Sequence, residues 1–303
     1  MQYIEEHLKK LERLEPIPTG EKPRLKKGLD IRAFIFDIYG TLLISSSGDV
    51  NEAEISPEHF KSALEASNIE ITTNGGLNEK ERLEMILQSF VDSINQYHKE
   101  NNKNNILYPE INVLGIWEDV ITRAVRKKWL AIHKDSDIKY MTFIFEILSN
   151  RVYPMPGMKK VIKELSERDK ILGIVSNSQF YTPMLMNFFL DNDVLNSEEI
   201  KPFDPDLTVY SFKMLKAKPE MALFTRIIPV LREKYGIEPH QGLFIGNDMF
   251  NDIYPAGQSG FKTALFAGDK RSLRLRKDKK ELAGLSPDMV ITDLNQLIEL
   301  IQA

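Results

Sequence analysis

The sequence predicts an α/β fold: a doubly wound parallel sheet with helices on both faces and an α-helical cap domain inserted after its first strand. Three observations carry this. The run "IRAFIFD", 31–37, is short, apolar and rich in β-branched and aromatic residues, as expected of a strand covered on both faces. From about 153 onward, apolar runs alternate with helix-period segments, the pattern of parallel strands joined by helices. Between them, from about 51 to 150, the chain reads as mostly helical.

Taken in order, residues 2–14 have the spacing of a short amphipathic helix, and "PIPTGEKPRLKKG" is a Pro-, Gly- and Lys-rich linker. Residues 1–29 are therefore expected to form a surface appendage. The core is expected at 30–44 plus 153–303, and the helical cap at 45–152. Within the cap, "SPEHFKSALEAS", "LNEKERLEMILQSFVDSINQYHKEN", "INVLGIWEDVITRAVRKKWLAIH" and "DIKYMTFIFEILSN" read as helices, separated by Asn-rich turns such as "TTNGG" and "ENNKNN". Trp117, Trp129, Phe143 and Phe145 fall at positions suited to packing inside it. After "YPMPG" come the helix "MKKVIKELSERD", the strand "KILGIVSN", a helical stretch at 179–190 and a short strand near "TVYSFKM". The helix "EMALFTRIIPVLREKYG", the strands "GLFIGND" and "KTALFAG", and a closing strand and helix in "DMVITDLNQLIELI" complete the chain.

A chain of 303 residues with 42% hydrophobic content can bury a large core. Its net charge of -4 gives no electrostatic reason to expect nucleic acid or an anionic membrane. Without cysteine there is no thiolate nucleophile and no zinc–thiolate cluster. The histidines, His7, His59, His98, His133 and His240, are scattered rather than set at metal-ligand spacing. No stretch resembles a signal peptide or offers the roughly 18 consecutive apolar residues of a membrane span, so a cytoplasmic protein is expected. A P-loop and a Gly-x-Ser-x-Gly elbow are both missing from the sequence.

In an open α/β sheet, ligands bind beyond the carboxyl ends of the strands, so those ends are read together. The first carries Asp37, then Gly40 and Thr41. The second carries Ser176 and Asn177, a hydroxyl and an amide suited to an oxyanion. Lys218 precedes Pro219 and a predicted helix, and the strand "GLFIGND" ends in Asn247 and Asp248 with Asp252 one turn beyond. A carboxylate nucleophile, a lysine to balance charge, and further carboxylates to share Mg²⁺ with Asp37 form a coherent site for anion chemistry. The stretch "GDKRSLRLRKDKK", 268–280, is locally basic and reads as a solvated loop and helix face.

These stretches resemble, in order, the motifs of the haloacid dehalogenase superfamily of hydrolases, over about 31–44 and 153–300. "DIYGT" resembles the nucleophile motif, which implies Asp37 as nucleophile and Thr41 as its supporting hydroxyl. "VSNS" places Ser176 and Asn177 on the transferred group, "KAKPEMALF" gives Lys218 the charge-balancing role, and "IGNDMFNDIYPAGQSGFKTALF" resembles the acidic fourth motif. The helical insert stands where one group of this family carries its cap, on a Rossmann-type core. The resemblance implies a Mg²⁺-dependent phosphatase of a small phosphomonoester, acting through an aspartyl-phosphate, with Asp37, the Tyr39 backbone carbonyl, Asp248 and Asp252 around the metal. Its substrate would be a small, phosphorylated molecule, with neither nucleic acid nor membrane as partner.

Two positions depart from the phosphatase pattern. Tyr39 stands where a second aspartate usually serves as general acid and base, and Asn247 where a metal-binding aspartate is typical. A tyrosine at that first position is similar to the dehalogenase branch, in which the aspartate attacks carbon without a metal. That branch uses an arginine soon after the nucleophile; residues 44–79 contain none, and Arg82 is the first. Its tyrosine six residues after the lysine is here Phe224. A metal-independent 2-haloacid dehalogenase-like hydrolase is thus the alternative, and a catalytically weakened protein that binds a phosphorylated metabolite or a protein partner is the other.

Overall fold

The computed structural model describes residues 2–47, 55–73, 76–104, 106–192 and 197–302. The strands are β1 (Ala33–Phe36), β2 (Leu43–Ser45), β3 (Ile69–Ile71), β4 (Leu130–Ile132), β5 (Val152–Pro154), β6 (Ile171–Ser176), β7 (Thr208–Tyr210), β8 (Gly242–Gly246), β9 (Lys262–Phe266) and β10 (Met289–Ile291). Six of them form one sheet in the order β10-β9-β8-β1-β6-β7, and every neighbouring pair is parallel. The apolar run at its centre is buried at every β1 position, because helices cover both faces.

β1 pairs with β6, Phe36 opposite Ile174, and with β8, Phe36 opposite Ile245. The chain runs outward from β1 through β6 to β7, then crosses back to β8, β9 and β10 on the other side. That reversal opens a crevice at the carboxyl ends of β1, β6 and β8.

The insert leaves and re-enters the core through an antiparallel ribbon, β2 against β5, with Leu43 opposite Pro154 and Ser45 opposite Val152. Between them lie α2 (Pro57–Ala66), α3 (Glu79–Lys103), α4 (Val113–Arg126) and α5 (Ile138–Ser149), following α1 (Gln2–Lys9) near the N-terminus. Trp117 anchors their interior, stacked on Phe60 and Phe90 at 5.0 and 4.1 Å between ring centroids and edge-on to Phe145. Asn78 begins α3 with a reciprocal capping box to Glu81. The helix then runs on to Lys103, through most of the Asn-rich stretch expected to be a turn, which offers no Gly or Pro to stop it. Of the expected turn at 72–76, residues 74–75 lie outside the described residues.

Two expected helices are interrupted. The one read through His133 ends at Arg126; Lys128 takes a left-handed conformation, φ 58, and Leu130–Ile132 pairs as β4 with β3. The one read over 220–236 divides into Ala222–Thr225 and Ile228–Tyr235. Pro229 lacks the N–H needed to carry a helix across that point.

The N-terminal segment is no appendage. Leu8 is 2% exposed in the main apolar cluster, with Leu11 and Leu14 packed against it. Thr19 Oγ1 donates to the Ala267 carbonyl at 2.8 Å. Arg24 and Val290 exchange backbone hydrogen bonds of 2.8 and 3.0 Å, adding an antiparallel bridge beside β10. Among the described residues, no helix is long and apolar enough to cross a membrane.

Candidate active site

Asp37 follows β1 and is 4% exposed, its backbone N–H donating to the Ile245 carbonyl at 2.9 Å. The chain then turns sharply over β8, and Gly40 makes the turn possible. Its φ is +84°, and a Cβ there would fall 2.6 Å from both Asn247 Nδ2 and Ser272 Cβ. The turn brings Thr41 back under the carboxylate, where its hydroxyl lies 3.3 Å from Asp37 Oδ2 and 3.1 Å from Asn247 Oδ1.

The other Asp37 oxygen is held more firmly. Oδ1 accepts from Ser176 Oγ at 3.0 Å and from Lys218 Nζ at 2.6 Å. Lys218 also donates to Asp252 Oδ1 at 2.5 Å, and its own backbone N–H donates to Asn177 Oδ1 at 2.7 Å. Burial pulls the lysine's pKa down, but the charges of Asp252 and Asp37 outweigh it and hold the ammonium well above its usual range. Asp252 is 1% exposed. Burial pushes its carboxyl up, Lys218 pulls it down, and Asp37 and Asp248 push it up further. Gly246 lets Asp252 tuck beneath the strand end, since a Cβ there would meet the Asp252 carboxyl at 2.4 to 2.5 Å.

Asn247 and Asp248 are adjacent but serve different ends. Asn247 turns its carbonyl to Thr41 and its amide to the Ser272 carbonyl, 2.6 Å away. Asp248 caps the helical turn after β8, Oδ1 accepting from the backbone of Phe250 and Asn251. Its Oδ2 accepts from both Nε and Nη2 of Arg276, at 3.0 and 2.8 Å. The basic stretch is thus folded over the fourth strand end, with Ser272 fully buried. Arg82 lies in the cap, where it donates to the carbonyls of Leu77 and Asn78 and makes no hydrogen bond to Asp37. The structure therefore gathers Asp37, Thr41, Ser176, Asn177, Lys218, Asn247 and Asp252 into one network, and holds Asp248 at its edge.

Among the described residues, no three Asp, Glu, His or Cys side chains gather in a metal-binding arrangement. Asp248 is occupied by Arg276 and its cap, and Asp252 by Lys218. Of the oxygens a hard cation could use, the Asp37 carboxylate and Asn247 Oδ1 meet across the Thr41 hydroxyl, one charged donor and one neutral. Mg²⁺ accepts such a set when substrate phosphate completes it.

A second polar group closes the crevice from above. Tyr39 shares a hydrogen bond of 2.9 Å with Thr182, at the start of the helix Thr182–Phe189, which follows β6 by way of Asn177. The neighbouring Tyr181 donates to Glu146 Oε2 on α5 at 3.1 Å. The cap loop before α4 is stitched to the lysine loop: Ala217 N–H donates to the Tyr108 carbonyl at 2.8 Å and Glu110 N–H to that of Leu215 at 3.2 Å. Ser211 and Gln179 both donate to the Glu110 carboxylate. Arg276, Glu110, Glu146 and Tyr181 were not legible as site residues. Only Arg276 left a trace, in the basic stretch.

Over 148 residues the chain is 25% identical to the glyceraldehyde 3-phosphate phosphatase of Pyrococcus furiosus, covering 49% of this chain and 54% of that protein. It thus spans about half the length of this curated relative. Its fold is similar to the crystal structure of a 2-haloacid dehalogenase from Pseudomonas syringae pv. Tomato DC3000, with a TM-score of 0.52, 16% identity, and coverage of 90% of this chain and 98% of that one. A predicted phosphoglycolate phosphatase from Haemophilus somnus 129pt aligns with a TM-score of 0.45 at 20% identity, over 90% and 99% of the two chains. The model of the haloacid dehalogenase-like hydrolase family matches residues 31–260, and the chain belongs to that family of hydrolases.

Proposed function

We propose that this hydrolase cleaves a small phosphomonoester through an aspartyl-phosphate on Asp37. The observation that carries the reading is the convergence of Ser176 Oγ and Lys218 Nζ on the Asp37 carboxylate, with Asn177 beside them. Hydroxyl, ammonium and amide donors around a carboxylate suit a transferred group with several anionic oxygens. The phosphatase name of the Pyrococcus furiosus relative supports the same reading.

The carboxylate of Asp37 attacks phosphorus, and water then cleaves the acyl phosphate. Lys218 stays protonated throughout, because Asp37 and Asp252 hold its charge. Thr41 fixes the carboxylate's rotation through its contact with Oδ2. Mg²⁺, held by the Asp37 carboxylate, the Tyr39 carbonyl and Asn247 Oδ1, would neutralise phosphate charge. With Asp248 paired to Arg276, this donor set carries less charge than the one read from the sequence, so a weaker hold on Mg²⁺ is expected.

The test is hydrolysis of small phosphomonoesters with and without Mg²⁺. Asp37→Asn is expected to abolish turnover; phosphate release that survives it overturns the assignment. Tyr39 in the place of an acid favours carbon chemistry instead, and halide release from a 2-haloacid unaffected by chelator would support it. Against that reading, Arg82 is spent on the backbone of its own turn.

A further inference from the structure

We infer that Glu110, a half-buried carboxylate of the cap, is a positioning residue that sets Asn177 and Lys218 in place against the nucleophile. The inference rests on the roles given to Asp37, Asn177 and Lys218 in the phosphatase reading above. Asn177 and Lys218 stand on separate loops of the core, one following β6 and the other preceding Pro219. A bond of 2.7 Å from the Lys218 N–H to Asn177 Oδ1 joins them, and Lys218 Nζ lies 2.6 Å from Asp37 Oδ1.

The cap segment 108–113 lies across both loops. Against the lysine loop it makes an antiparallel bridge, Pro109 beside Lys216. The N–H of Ala217, the residue before Lys218, donates to the Tyr108 carbonyl at 2.8 Å, and the Glu110 N–H donates to that of Leu215 at 3.2 Å. Against the loop after β6, side chains make the contact. Gln179, two residues beyond Asn177 and 6% exposed, accepts from the Val113 N–H at 3.1 Å and donates to the Ile111 carbonyl at 3.0 Å.

The two contacts meet at Glu110. Its backbone holds the lysine loop while its carboxyl reaches the other one. Oε2 accepts from Ser211 Oγ at 2.7 Å; that hydroxyl is fully buried and accepts in turn from the N–H of Ser178, next to Asn177, at 2.9 Å. Oε1 accepts from Gln179 Nε2 at 3.2 Å and from the Ile111 N–H at 3.0 Å. A hydroxyl, an amide and a backbone N–H thus all donate to this one group, which suits an ionised carboxylate.

Asn177 is therefore tied to the cap through Ser178 and Gln179, and Lys218 through Leu215 and Ala217, with Glu110 common to both. Amide and ammonium donors stabilise developing charge in proportion to how firmly they are held before the reaction begins. Glu110 acts through the loops that carry them.

The experiment measures hydrolysis of p-nitrophenyl phosphate and glycerol phosphate with Mg²⁺, together with urea unfolding, for wild type, Glu110→Ala, Ser211→Ala and the double variant. Glu110→Ala is expected to lower kcat on the order of 10- to 100-fold with KM changed less than about 3-fold, because misplaced donors are felt most in the transition state. Since Ser211 links Glu110 to the Ser178 N–H, the double variant is expected to lose little more than the worse single variant. A folded Glu110→Ala that keeps the wild-type kcat and shows only a lower unfolding midpoint is missing a structural tie, and overturns the inference. A raised KM at unchanged kcat, or single losses that multiply in the double variant, also overturn it, and the phosphatase reading stands in each case. Wild type that cleaves neither ester overturns that reading and this inference with it. Should Glu110→Ala fail to fold, Glu110→Gln keeps the volume but offers a single acceptor oxygen to donors on two sides. It is expected to lower kcat on the order of 3- to 10-fold, the size of one lost hydrogen bond; a wild-type kcat there overturns the inference.

Discussion

Among the described residues, Lys218 is the single cation paired with both Asp37 and Asp252, and each of the three side chains is at most 6% exposed. A buried pair stripped of one partner leaves an uncompensated charge rather than a vacancy. Lys218→Met is therefore expected to cost about 3–5 kcal/mol of stability in urea at neutral pH, as well as activity. A loss below about 1 kcal/mol, the size of an exposed pair, would show that the carboxylates do not depend on the lysine. Residue types alone made Asp37, Ser176, Asn177 and Lys218 legible, because each ends a strand or opens a loop at a fixed place in the chain. A carboxylate next to Asn247 reads equally well as a ligand or a cap, and the contact of Asp248 with Arg276, 28 residues on, has no signal in the local sequence.

The elements were legible where periodicity was long, and misread where a short segment serves another element. β4 looked like the tail of a helix because "WLAIH" continues an apolar pattern, yet its partner β3 lies some 60 residues earlier and cannot be seen locally. The N-terminal helix looked dispensable for the same reason: the surface that receives Leu8 is made by distant residues. Leu8→Ala is expected to cost about 2 kcal/mol, read as a lower midpoint in urea unfolding, since it removes a fully packed side chain. An unchanged midpoint would return α1 to the status of an appendage. Cap and core elements meet at the backbone bonds of Tyr108 and Glu110 to the loop before Lys218. Asp37 is only 4% exposed, and these bonds join the cap to the loop that carries its lysine partner.

For the whole molecule, a half-buried carboxyl in the cap links stability to pH. Glu146 binds its proton up to about 7 when folded and only up to 4.5 when unfolded. Between those values the native state holds more protons, so this group's contribution is fully favourable below about 4.5, declines as pH rises, and levels off above about 7. Glu146→Gln removes that decline. Its stability relative to wild type is expected to rise by on the order of 1–3 kcal/mol from pH 5 to pH 8, measured by urea unfolding; parallel curves would contradict it. The sequence by itself determined the alternation of strands and helices, the position of the insert, and the order of nucleophile, hydroxyl, lysine and acid, because these depend on local apolar period and on chemistry at strand ends. Which carboxylates remain free was decided only in three dimensions. Arg276 occupies Asp248 and Lys218 occupies Asp252, since ion pairing depends on distances that chain order does not contain.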